Sequence, residues 1–88
     1  EYAMMLARYL KTVQRMCEII GLPFATQSRA EKVVTDWCNA GAKGGSLKTT
    51  AGAAIWSVVK DEGVNIEQIA KAIQYAPDTI KRELAKYA

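Results

Sequence analysis

The sequence predicts an all-α fold, a bundle of five helices. Two observations carry this expectation. Apolar residues recur at three- and four-residue steps in five successive segments. Glycine, proline or a capping residue punctuates the chain between those segments, and no segment carries a strand signal. At 88 residues the chain has room for one hydrophobic core and not for two, so residues 1–88 are taken as a single domain.

The first helix is expected over about 2–20, where Leu6, Leu10, Val13, Cys17 and Ile20 form one apolar stripe. Arg8, Lys11, Arg15 and Glu18 lie off that stripe. Gly21 then supplies a C-cap, and Pro23 prevents continuation. A second helix fits 25–39, with Ala30, Val33, Val34, Trp37 and Cys38 on its apolar face and Lys32 and Asp36 spaced as a surface pair. It ends in a glycine-rich loop containing Gly41, Gly44 and Gly45. The third helix, about 48–60, is nearly uncharged from Thr49 to Val59. A helix apolar around most of its circumference is buried on several sides, so this one is expected at the centre, with Ala51, Gly52, Ala53 and Ala54 allowing close neighbours. Lys60, Asp61, Glu62 and Gly63 return the chain to solvent. The fourth helix, about 66–74, opens on a capping box of Asn65 and Gln68 and buries Ile66, Ile69, Ala70 and Ile73. The fifth, about 77–87, starts at Pro77 with Asp78 in its first turn and buries Ile80, Leu84 and Tyr87.

Composition narrows the chemistry. The chain is 50% hydrophobic and 24% charged, which is ordinary for a globular domain. No apolar run reaches the roughly 18 residues of a membrane span. There is no histidine, which removes a histidine base, a histidine triad and the commonest zinc ligand. Cys17 and Cys38 belong to no CxxC and sit in apolar helical patterns, as buried small hydrophobes do in a reducing interior; a disulfide is the alternative. No paired carboxylates or activated nucleophile stand out, so no enzyme activity, cofactor, metal or small-molecule substrate is expected. The net charge of +3, from 12 basic and 9 acidic side chains, permits an anionic partner. The chain begins Glu1-Tyr2-Ala3 without a visible signal peptide and is expected to be a piece of a longer protein.

The last two helices, joined through Gln74, Tyr75 and Ala76, follow the spacing of a helix-turn-helix. Ile69, Ala70, Ile73, Tyr75 and Ile80 meet its apolar and small positions. Gln74 stands where that pattern has a glycine in the left-handed conformation, and Glu83 stands where it has an apolar residue, with Leu84 next to it. With Ile80, Leu84 and Tyr87 inward, Asp78, Lys81, Arg82, Ala85 and Lys86 face outward. Arginine reads guanine bidentately and lysine neutralises phosphate, so Lys81, Arg82 and Lys86 suit a recognition helix. The same charges suit a solvated surface on which Asp78 and Arg82 pair. Residues 44–49 are not a Walker motif, but a helix N-terminus beside Lys43 and Lys48 can meet a phosphate. Trp37 and Trp56 read as core packing. Met4, Met5 and Met16 read as core or interface filler, while Tyr2, Tyr9 and the N-terminal methionines offer a surface for a neighbouring domain.

These features meet in one family. Gly44-Gly45-Ser46-Leu47-Lys48-Thr49-Thr50-Ala51-Gly52-Ala53-Ala54-Ile55-Trp56 resembles the G-R-S-P-x-x-x-A-A-A-A-I-Y signature of transcription factor IIB and archaeal transcription factor B. Ile69-Ala70 and Thr79-Ile80-Lys81 are similar to the family's I-A-x-x-x-G-V-x-x-x-T-I-R, and Ile20-Gly21-Leu22-Pro23 to its L-x-L-P linker. The resemblance is to the second cyclin-like repeat, in a divergent form. It implies a five-helix cyclin-like fold with a C-terminal helix-turn-helix. It further implies a role as a general initiation factor that contacts promoter DNA next to TATA-binding protein and supports RNA polymerase recruitment. That role would be nuclear in a eukaryote and cytoplasmic in an archaeon. On this resemblance the DNA-binding residues are Asp78, Thr79, Lys81, Arg82 and Lys86, with Lys43, Gly45, Lys48 and Lys71 as candidate phosphate contacts. Gly45 replaces the arginine of the signature and Gln74 the turn glycine, as in a divergent member or a paralogue serving another polymerase. The alternative is a protein–protein adaptor of the same fold that docks partners without sequence-specific DNA binding.

Overall fold

The computed structural model describes residues 2–41 and 46–87, with side chains from Met5 onward. The described residues form five α-helices and no strand: α1 (Tyr2–Ile20), α2 (Phe24–Asn39), α3 (Leu47–Val59), α4 (Ile66–Ile73) and α5 (Pro77–Ala85). The all-α expectation holds, and each helix lies within one or two residues of its expected bounds at either end. Among the described residues no helix is long and apolar enough to cross a membrane.

Helix α3 is the centre. Thr49 to Ile55 and Val59 are buried, and the helix packs against each of the other four. Its start is set by Ser46, whose Oγ accepts the Thr49 amide at 3.1 Å and so satisfies one of the orphan donors of the first turn. Small side chains bring its neighbours close. A Cβ at Gly52 would lie 2.8 Å from Ile73 Cδ1 and 3.5 Å from Ile69 Cγ2, so α4 seats closely on α3 here and any side chain would have to move the end of Ile73. Around this axis Val13, Cys17, Val34, Ile55, Val59, Ile69, Ile73 and Ile80 are fully buried.

The connections follow local chemistry. Gly21 takes φ +88, and its amide and that of Leu22 both donate to Cys17 O, at 2.8 and 2.9 Å, closing α1. Pro23, extended at φ −69, leads directly into α2, one residue earlier than expected. At α4 the Asn65 side chain accepts the Glu67 amide at 2.9 Å, and Gln68 Oε1 accepts the Asn65 amide at 3.3 Å, which is the capping box read from the sequence. The loop after α3 is tied back to α2 by Arg29, whose guanidinium donates to Glu62 at 2.8 Å. Lys32 and Asp36 stand 3.9 Å apart on the surface, a pair of small energetic weight.

Four expectations are corrected or refined. Tyr9 does not await a neighbouring domain: it is 8% exposed and belongs to the core, because residues 9, 13, 16, 17 and 20 share one helical face. Met16 is buried on that same face, whereas Met5 is exposed. Helix α5 ends at Ala85 rather than residue 87, its last turn tightening as the Lys86 and Tyr87 amides donate three residues back to Glu83 O and Leu84 O, at 3.1 and 3.0 Å. Cys17 and Cys38 are free thiols, buried and half-buried. Burial first, then Glu31 and Glu18, pushes the Cys17 thiol up to about 11, and burial raises that of Cys38.

The α3–α4 contact gives a stability test. Gly52→Ala gains about 1 kcal/mol of helix propensity and loses about 1–3 kcal/mol to overpacking against Ile73, so it is expected to fall between neutral and about 2 kcal/mol destabilising. Gly52→Val adds two further methyl groups and a propensity penalty, and is expected to destabilise by about 2 kcal/mol or more in urea unfolding.

Candidate functional site

The candidate surface is built by α4, residues 74–76 and α5. Its geometry turns on Gln74. This is the one described non-glycine residue with positive φ (φ 65, ψ 39), the left-handed conformation that the turn position was expected to require. The Gln74 and Tyr75 amides donate to Lys71 O and Ala70 O at 3.3 and 3.0 Å, which ends α4 one residue earlier than expected and redirects the chain. Ala76 is extended, Pro77 occupies the first turn of α5 with its φ already suited to a helix, and the Thr79 amide donates to Ala76 O at 3.0 Å. Glycine avoids the strain that a side chain brings to this conformation, roughly 1 kcal/mol. The Gln74 side chain recovers part of it by accepting Lys48 Nζ at 3.1 Å.

On α5 the sequence-derived set is brought to one helix, though not all of it is free. Asp78, Lys81 and Arg82 are exposed and Thr79 is half-buried. Among the described residues, Asp78 and Arg82 do not close the ion pair their spacing allows, and Lys81 and Arg82 have no acidic partner. Lys86 is different: its Nζ donates to Glu83 Oε1 at 3.1 Å. Lys48 and Lys71 are exposed on α3 and α4, and Lys43 and Gly45 lie outside the described residues.

Glu83 corrects the expected inward face. It is 4% exposed, whereas Leu84 and Tyr87 are only half-buried. One step of three from Ile80 reaches the core as well as one of four does, so periodicity alone does not choose between Glu83 and Leu84. Partners decide. Thr50 Oγ1 on α3 and Tyr87 Oη each donate to Glu83 Oε2 at 3.1 Å, and Lys86 serves the other oxygen. A buried carboxylate without such donors costs several kcal/mol, and here three donors surround it. Tyr87 is held as a neutral donor: burial first, then the Glu83 carboxylate, outweigh the lowering effect of the nearby Thr50 hydroxyl and push its own hydroxyl up to about 12. Its ring stacks on Trp37 of α2 with centroids 3.9 Å apart and planes 7° from parallel, so Trp37 packs within the fold, as expected.

Sequence reasoning missed this network because its signal, an acidic residue at an apolar position, names no partner. It also passed over Arg8, Lys11 and Arg15, which line a groove together with Lys48. Their steps of three and four along α1 were the available signal.

Gln74→Gly is expected to raise unfolding stability by about 0.5–1 kcal/mol, because relief of the left-handed strain exceeds an exposed hydrogen bond. Gln74→Ala keeps the strain, loses the bond to Lys48, and is expected to lower stability slightly; chemical denaturation of both variants checks the ordering. Comparison with family models, with curated proteins and with solved structures returns no match for this chain.

Proposed function

We propose that the chain is a DNA-binding cyclin-like repeat of a general transcription initiation factor resembling transcription factor IIB, with α4, residues 74–76 and α5 as its helix-turn-helix. In this role it contacts promoter DNA beside TATA-binding protein and supports recruitment of RNA polymerase. The observation that carries the reading is the left-handed Gln74. A DNA-reading helix pair needs that sharp turn, and here it persists although the residue is not glycine and the conformation is strained. The exposed Lys81 and Arg82 beyond the turn, without acidic partners, add support, since cations already paired would have to break those contacts to meet phosphate or a base edge.

The two classes of α5 cation make the test specific. Lys81 and Arg82 are assigned to DNA, whereas Lys86 is engaged by Glu83. Removing a phosphate contact lowers the slope of log affinity against log salt by about 0.9. Lys81→Ala with Arg82→Ala is therefore expected to flatten the slope by up to roughly 2 on duplex promoter DNA, and Lys86→Ala to change it much less. Unaltered titrations for the double variant would refute the assignment of α5 as the recognition helix.

A second reading, the protein adaptor, is favoured by one observation. Phe24 is 74% exposed and Ile19 61% exposed on either side of the α1–α2 connection, where apolar side chains are available to a protein partner. Chemical-shift changes confined to that corner on addition of a protein partner, with none from DNA, would favour it.

A further inference from the structure

The groove on the other side of Lys48 is not used by the α5 reading. It is an open depression of about 330 Å³ between α1 and the start of α3. Arg8, Lys11 and Arg15 project into it from α1, and Lys48 from α3, over a floor that includes Met16 and Leu47. All four cations are exposed, and among the described residues none forms an ion pair and no acidic side chain lines the groove. Like charges gathered without counter-charges repel one another, and an anionic occupant relieves that repulsion.

Two further features indicate the shape of the occupant. Leu47 and Lys48 also line a second depression that reaches Ile73, Gln74 and Tyr75, so the two depressions adjoin at these residues, between α1 and the connection preceding α5. The run from Arg8 to Arg15 is seven helical steps, about 10 Å, which matches the axial rise of about three phosphate-to-phosphate steps on one strand of a duplex. An extended, regularly charged chain fits such a track better than a single small anion does.

We propose that this groove is a second phosphate-binding track, in which Arg8, Lys11, Arg15 and Lys48 hold the sugar–phosphate backbone of one strand of the nucleic acid that α5 engages. This rests on the DNA-binding reading of α5 for its direction, though not for its chemistry. The track supplies affinity and fixes orientation and carries no base preference, since it meets phosphate alone.

The test compares three variants of the chain on one duplex, by affinity across a salt series. Arg8, Lys11 and Arg15 are exposed helical positions, so the R8A/K11A/R15A variant is expected to keep its circular dichroism and melting temperature; R8Q/K11Q/R15Q serves if it does not. Its salt slope is expected to fall by about 2–3, with equal losses on unrelated duplex sequences. R29A/K32A/K60A removes three cations outside the groove and is expected to leave the slope nearly unchanged. In the unsubstituted chain, the Leu47 and Lys48 amides are expected to shift on adding DNA. An unchanged slope for the groove variant overturns the proposal, as does an equal fall for the control, which would reveal attraction to net charge alone. Loss of binding to a glutamate-rich peptide, with DNA affinity retained, also overturns it and assigns the groove to an acidic protein segment. K81A/R82A measured alongside keeps the two ideas separate: loss there with none in the groove variant leaves α5 as the DNA site, and the reverse leaves the groove.

Discussion

At Gly52 the backbone of α3 and the side chain of Ile73 come so close that a methyl group would meet Cδ1 at 2.8 Å. A helix that lends its whole circumference to four neighbours has no broad polar face to spare, and α3 has none: Thr49 and Thr50 are themselves buried. Seating α4 directly on this axis places Ile69 and Ile73 in the core. The end of α4 is thereby held where the chain must turn sharply. The left-handed Gln74, the extended Ala76 and the start of α5 at Pro77 follow from that placement. Strain at Gln74 is thus sustained by packing on both sides of it, by Ile73 before and Ile80 after.

The second tie between centre and surface is polar. Thr50, one turn into α3, reaches Glu83 of α5, and Tyr87 and Lys86 complete its environment. An apolar residue at position 83 would pack as well or better, because buried ion pairs are seldom superior to hydrophobic replacements of similar volume. What the carboxylate adds is direction: it orients α5 against one residue of α3 and engages Lys86, which stays exposed, in an ion pair. The cations available to a partner on α5 are therefore Lys81 and Arg82, closer to the turn than the sequence alone suggests.

Much of this architecture is legible in the sequence where the cause is local. Gly21 and Pro23 end α1, Asn65 and Gln68 start α4, and the run from Thr49 to Val59 marks the central helix, because caps and periodicity act within a few residues. The conformation of Gln74 was legible too, as the demand of a turn rather than the preference of a residue. What depends on distant partners was not. Glu83 meets Thr50 across 33 positions, and Lys48 meets Gln74 across 26. The cations of α1 are ordinary polar-face residues until α3 is folded beside them. Tyr9 was misread because a narrow apolar stripe understates how much of α1 faces the core.

The claim on which the rest stands is that α3 positions α4 and α5 as one cooperative body, so that the turn and the outer face of α5 are rigid features of the domain. Native-state amide hydrogen exchange measures this directly. Amides of Ile55 and Val59 in α3, Ile73 in α4 and Glu83 in α5 are expected to exchange through one common opening with the free energy of global unfolding. Exchange of Ile73 and Glu83 through a smaller, separate opening while α3 stays protected would contradict it, because α4 and α5 would then be a loosely attached unit.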